Sequence, residues 1–174
     1  MTFHKLLIAN RGEIACRIIK TAHEMGISCV AVYTEADTHS PFVRMADQAI
    51  KLSDSYLNGN EIINAAKQTG AEAIHPGYGF LSENAKFARA VQKEGLIWVG
   101  PNSRVITSMG DKLKAKDIAE KAGVPTLPMT TDPKKANTIG YPILIKAAAG
   151  GGGKGMRIVA VSYTHLRAHE TLSY

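Results

Sequence analysis

Apolar and polar positions alternate along the first hundred residues between short apolar runs and helical repeats. Lys5 to Ala9 is an apolar run closed by Asn10-Arg11-Gly12, after which Ile14, Ala15, Ile18, Ile19, Ala22 and Met25 recur at three-to-four spacing. This predicts a strand, a tight turn and an amphipathic helix. Gly26 stands where a helix closes in a left-handed residue, and Ile27 to Tyr33 then reads as a second strand rich in β-preferring types. Further strands are predicted at Ala71 to Ile74 and Leu96 to Val99, with helices at Glu61 to Gln68 and Glu83 to Lys93 that end before Gly70 and Gly95. Such alternation feeds a parallel sheet through crossover helices, so the expected fold class is α/β, an open, doubly wound parallel-sheet domain.

Near Gly100-Pro101 the rhythm changes. Two helical stretches, Ser103 to Met109 and Lys112 to Ala122, follow with little between them, which places a domain junction here. After Gly123-Val124-Pro125 come an extended piece, a polar helix near Pro133 to Thr138, and two apolar strands, Tyr141 to Ala148 and Met156 to Ala160. A glycine run between them predicts an antiparallel hairpin.

Composition narrows the possibilities. The chain has 174 residues, 45% of them apolar, enough for one good core and part of a second domain. No apolar stretch approaches the roughly 20 residues that span a bilayer, so no membrane partner is expected. The start Met-Thr-Phe-His-Lys lacks the pattern of a signal peptide, which makes the cytoplasm the expected compartment. Cys16 and Cys29 sit among apolar neighbours and are read as buried free thiols. The net charge of +6 is spread along mixed-charge helices such as Asp111 to Lys121, without a basic stripe or stacking aromatics, which argues against nucleic acid.

The sharpest chemical signal is Lys146-Ala147-Ala148-Ala149-Gly150-Gly151-Gly152-Gly153-Lys154-Gly155-Met156. Consecutive glycines let backbone N–H groups converge on phosphate oxygens, and four in a row lose so much entropy on ordering that structure alone seldom explains them. A P-loop would need glycine at 148, serine or threonine at 155, and a helix afterwards. The residues there are Ala148 and Gly155, and a strand follows. A lid closing over a nucleoside triphosphate fits better, with Lys146 reaching a phosphate as a point charge. The turn Asn10-Arg11-Gly12-Glu13, with Glu35 and Asp37 after the second strand, invites a dinucleotide reading, but only one glycine of that fingerprint is present. His75-Pro76-Gly77-Tyr78-Gly79-Phe80-Leu81-Ser82-Glu83-Asn84 follows a strand's carboxyl end, where open α/β sheets bind ligands; His75, Tyr78 and Glu83 offer polar groups there. The same segment also reads as a structural corner, with His75 bonded locally and Ser82 capping the next helix.

Ile8 to Ala15, His75 to Asn84, Met109-Gly110-Asp111-Lys112 and Lys146 to Met156 resemble the biotin carboxylase family in order and spacing over about 160 residues. The resemblance implies the start of an ATP-grasp fold after the doubly wound domain. The divisions it implies are 1–108 for the amino-terminal domain and 109–160 for the beginning of the ATP-grasp domain. It also implies a ligase that uses MgATP to activate bicarbonate and carboxylates biotin on a carrier. Lys112, Lys146, Gly151, Gly152, Gly153 and Met156 would bind ATP. His75, Tyr78, Gly79 and Glu83 would face biotin and bicarbonate. The implied partners are a biotin carboxyl carrier, a carboxyltransferase and a second copy of the chain, with acetyl-, propionyl- or methylcrotonyl-CoA-type carboxylases as the setting. Ala148, Ala149 and Lys154 lean toward the acyl-CoA carboxylase α chains.

No catalytic residue and no metal ligand is assigned, because the family's magnesium-binding acids, bicarbonate-binding arginine and general base are expected beyond residue 174. The 174 residues alone are therefore expected to be inactive. Residues 161–174 break the pattern and resemble the conceptual translation of a transposase adaptor used in sequencing libraries, so they are set aside. His165 and His169 could share a helix face, but two histidines leave a zinc site short of ligands. Two other readings remain: an ATP-grasp carboxylate–amine ligase, and an amino-terminal domain serving as an oligomerisation surface.

Overall fold

The computed structural model describes residues 3–146 and 156–160. Contacts divide the chain into two compact units, Met1–Gly110 and Asp111–Tyr174.

The first unit is a five-stranded parallel sheet in the order β3-β2-β1-β4-β5, made of β1 (Lys5–Ile8), β2 (Ser28–Tyr33), β3 (Gln48–Lys51), β4 (Ala73–His75) and β5 (Ile97–Trp98). Helices α1 (Gly12–Glu24), α2 (Pro41–Met45), α3 (Gly59–Thr69), α4 (Ala85–Lys93) and α5 (Ser103–Gly110) connect or follow the strands. The near-continuous apolar runs of β1 and β2 are what a parallel strand covered on both faces requires. The pleat sorts them into two cores. Leu7, Val30, Val32 and Ile74 join Ile62, Phe87, Val91 and Trp98 in one cluster, whereas Leu6, Ile8, Cys29, Ala31 and Ala73 join Ile18, Ile19 and Phe42 in the other. The Phe87 and Trp98 rings meet edge to face at 5.6 Å, and the Trp98 indole N–H donates to the Pro101 carbonyl.

The expected strand–helix alternation is present, with ends shifted by one or two residues. Three elements differ. β3 was not expected: it is a short edge strand, Gln-Ala-Ile-Lys, whose mostly exposed residues carry no alternating signal. A 3₁₀ turn at Glu35–Asp37 and the single-turn α2 occupy what the sequence left as a loop. Helix α4 begins at Ala85, later than expected, because its cap is Asn84 and not Ser82. The Asn84 side chain accepts from the Lys86 and Phe87 amides. Of the two free cysteines, Cys29 is buried, but Cys16 is only half-buried, since its place on α1 lies at the edge of the apolar stripe.

In the second unit, α6 (Lys112–Lys121) is capped by Asp111, which accepts from the Leu113 and Lys114 amides. A 3₁₀ turn (Pro133–Lys135) and α7 (Ala136–Ile139) precede β6 (Ile143–Ile145) and β7 (Arg157–Val159), which pair antiparallel with Ile145 opposite Arg157. The hairpin is therefore present, in shorter strands than expected. Its glycine run, the ends of the chain and the 161–174 segment lie outside the described residues. Among the described residues no helix is long and apolar enough to cross a membrane.

Candidate functional site

Strand order places β2 and β3 on one side of β1, and β4 and β5 on the other. The carboxyl ends of β1 and β4 thus flank the point where successive crossovers diverge, the crevice at which doubly wound sheets take ligands. Two sequence motifs issue there side by side: Asn10 to Glu13 from β1, and His75 to Asn84 from β4.

Asn10 joins them. It is 2% exposed; its amide donates to the Pro76 and Tyr78 carbonyls, each at 2.7 Å, and its carbonyl accepts from the Arg11 N–H. Gly77 sits at φ +62°, and a Cβ on it would stand 2.6 Å from the Asn10 amide nitrogen. Glycine is therefore required twice over, for backbone conformation and for space. The Gly77 N–H donates to His75 Nδ1 at 3.0 Å, which leaves the proton of the neutral ring on Nε2. Burial lowers the pKa of this half-buried imidazole, favouring that neutral form. His75 is thus bonded locally, as the corner reading expected, with Nε2–H left as a donor.

Tyr78 is 59% exposed, and its hydroxyl donates to the Glu13 carboxylate, which raises the tyrosine pKa. Gly79 at φ +65° and Phe80 at φ +42° turn the chain back toward α4. Glu83 is exposed and lines an open groove of about 610 Å³ with Phe80, Asn84, Lys86, Arg89 and Thr107. His75, Tyr78, Gly79 and Glu83 therefore belong to one loop beside β1, offering hydrogen-bond donors, a carboxylate and two nearby cations.

A second network, missed in the sequence, braces this loop. Asp37 is 3% exposed and accepts from Arg11 Nε and Nη2, both at 2.6 Å, from the Tyr56 hydroxyl at 2.6 Å and from Ser40 at 3.0 Å. Its hydrogen bonds from Arg11 above all, then from Tyr56 and Ser40, hold its pKa down to about 2 against the opposing effect of burial. Burial and the Asp37 hydrogen bond push Tyr56 up to about 12. The Tyr56 ring stacks against Phe80 at 5.3 Å. Asp37 is therefore spent on tying three loops together and is not presented as the ribose ligand a dinucleotide site would need, while Glu35 makes a surface pair with Lys51. The sequence showed Arg11 and Asp37 in the loops after the first two strands, but carried no signal for Tyr56, which follows the unexpected β3.

In the second unit, Lys146 and Met156 are exposed and directly flank the paired residues Ile145 and Arg157, so they stand together at the base of the hairpin loop. Lys112 is the exposed first residue of α6. Gly151, Gly152 and Gly153 lie outside the described residues. The acids of this unit among the described residues are committed elsewhere: Asp111 and Asp132 cap helices, while Asp117 pairs with Lys121 and Glu120 with Lys116. They do not form the oxygen cluster that Mg²⁺ takes.

Residues 2–106 match the family model described as biotin carboxylase, N-terminal domain, and residues 111–170 match that of the carbamoyl-phosphate synthase L chain, ATP binding domain. The second match runs ten residues into the segment set aside above. The propionyl-CoA carboxylase alpha chain of Ruegeria pomeroyi is 53% identical, over 90% of this chain and 25% of its own length. The mitochondrial methylcrotonoyl-CoA carboxylase subunit alpha of Dictyostelium discoideum is 55% identical, over 89% of this chain and 24% of its own. The biotin carboxylase domain dimer of the Hydrogenobacter thermophilus 2-oxoglutarate carboxylase, solved with MgADP, ADP and bicarbonate, superposes with a TM-score of 0.91 at 45% identity, covering 98% of this chain and 40% of that one. The chain thus spans about a quarter of the length of these curated relatives.

Proposed function

The chain belongs to the biotin carboxylase family, and from that premise we propose that it forms the first part of a ligase that uses MgATP and bicarbonate to carboxylate biotin on a carrier protein. In this reading Lys112 and Lys146 neutralise phosphate charge, the amides of Gly151, Gly152 and Gly153 cover the phosphates, and Met156 packs on the base. The loop bearing His75, Tyr78, Gly79 and Glu83 faces biotin and bicarbonate. No acid of the second unit among the described residues would hold Mg²⁺, which would supply charge neutralisation at the phosphates. The expected partners are a biotin carboxyl carrier, a carboxyltransferase and a second copy of the domain. The setting is an acyl-CoA-type carboxylase, and the expected compartment is the cytoplasm. The division into 1–108 and 109–160, with 161–174 as an adaptor-derived tail, belongs to the same reading.

The observation that carries it is the antiparallel frame around the glycine run. Lys146 leaves one strand and Met156 enters its antiparallel partner, which supports a lid on a hairpin over the strand-to-helix turn of a P-loop. The test is bicarbonate-dependent ATP cleavage, with biotin as acceptor, by the gene product extended through the rest of the ATP-grasp body. Lys146→Gln should lower kcat/KM for ATP at least about tenfold, and ATP cleavage that requires an amine acceptor and is indifferent to biotin would refute the reading in favour of a carboxylate–amine ligase. The 174 residues alone should show no such activity. Resequencing the gene past the codon for Ala160, without that adaptor, decides whether the last fourteen residues are encoded.

A further inference from the structure

At the amino-terminal ends of the strands, opposite the crevice, three side chains of metal-binding type converge. His23 lies in the last turn of α1, Cys29 is the second residue of β2, and Asp47 immediately precedes β3. One ligand atom from each falls within 4.8 Å of the others, and His23 Nε2 is 2.9 Å from Asp47 Oδ2. Asp47 Oδ2 also accepts from the Cys29 N–H at 2.7 Å, which brings the carboxylate beside the start of the strand that carries the thiol.

We propose that His23, Cys29 and Asp47 form a binding site for a borderline-soft divalent cation of the Zn²⁺ class, with water completing the tetrahedron. A thiolate, an imidazole and a carboxylate are the donors Zn²⁺ takes, whereas Mg²⁺ and Ca²⁺ select oxygen alone. Ligand atoms held by one tetrahedral Zn²⁺ stand roughly 3.4–3.7 Å apart, from metal–ligand bonds of about 2.0–2.3 Å. The imidazole–carboxylate pair must therefore open slightly and the widest separation close by about 1 Å. The side chains of His23 and Asp47 are 40% and 48% exposed, free to make that adjustment and to admit an ion from solvent, while the buried Cys29 stays fixed on a central strand.

The test is calorimetric titration of Zn²⁺ into the metal-depleted 174-residue chain, with Co²⁺ as a spectroscopic substitute. His165 and His169 are both replaced by alanine so that the tail cannot supply the binding. One equivalent of Zn²⁺ should bind, and Co²⁺ should give a sulfur-to-metal charge-transfer band that Cys29→Ser abolishes and Cys16→Ser leaves intact. His23→Ala and Asp47→Asn should each weaken Zn²⁺ binding at least about tenfold. If Cys29→Ser does not fold, the exposed His23→Ala variant decides the matter. No cobalt–sulfur band in the parent chain, or unchanged Zn²⁺ affinity in His23→Ala, overturns the site and leaves Asp47 as a cap on the Cys29 amide.

Discussion

Asp37 concentrates the polar energetics of the crevice in one carboxylate. Its pKa, held near 2 against an ordinary 3.8, makes its contribution to stability fully present above the unfolded value and lost as pH falls from about 4 to 2. The difference corresponds to about 2 kcal/mol, reduced somewhat because the Arg11 side chain is 47% exposed. In urea titrations at pH 6 and pH 2, the parent should lose about 1–2 kcal/mol more than Asp37→Asn across that interval. Parallel pH curves for the two proteins would show that Asp37 is not the group responsible. Gly77 and Gly79 permit a second comparison on one loop. Both have positive φ, but only at Gly77 does a Cβ collide, with Asn10, while at Gly79 it meets nothing within 4 Å. Gly79→Ala should cost about 1 kcal/mol of backbone strain, and Gly77→Ala about 2–3 kcal/mol with loss of the Asn10 clamp. Equal midpoints in chemical denaturation would contradict the clamp. His75, Tyr78 and Glu83 could be picked out from the chain because histidine, tyrosine and glycine crowd a strand end. Asn10 and Tyr56 could not, since their partners lie 66 and 19 residues away.

Elements were legible in proportion to how much they bury. β1, β2, α1 and α3 announce themselves because a strand covered on both faces is uniformly apolar and a helix on a sheet shows one apolar stripe. β3 is held instead by pairing to β2, Val30 with Gln48 and Val32 with Ile50, and such pairing leaves no mark on a four-residue edge. The start of α4 was misplaced because serine and asparagine are comparable caps; only the loop path decides between Ser82 and Asn84. Asn84→Ala should therefore lower stability by about 1 kcal/mol, whereas Ser82→Ala should leave it within about 0.3 kcal/mol. Thermal melts of the two variants check this, and a larger effect at Ser82 would restore the cap to the position expected from sequence. The hairpin was read correctly from two apolar strands; the lid proposed between them rests on glycine composition, since the chemistry it invokes is that of backbone amides more than of side chains.

At the scale of the whole molecule, apolar burial is very unevenly divided. Both core clusters belong to Met1–Gly110, and beyond that boundary the buried apolar residues among those described are Ala136 and Val159. Leu113, Ile118 and Leu127 are exposed at 47%, 42% and 85%. The chain covers 40% of the Hydrogenobacter chain it superposes on. Stability must then reside almost wholly in the first unit, because burial of apolar area is the dominant favourable contribution to folding. Residues 1–110 expressed alone should unfold cooperatively in urea. Trp98, the single tryptophan and part of the core, should report a midpoint equivalent to within about 0.5 kcal/mol of the 174-residue chain. A loss of several kcal/mol on removing residues 111–174 would show that the second unit supplies contacts on which the first depends. An unchanged transition would show that the parallel sheet, with the crevice loop at His75 to Asn84, folds without the second unit.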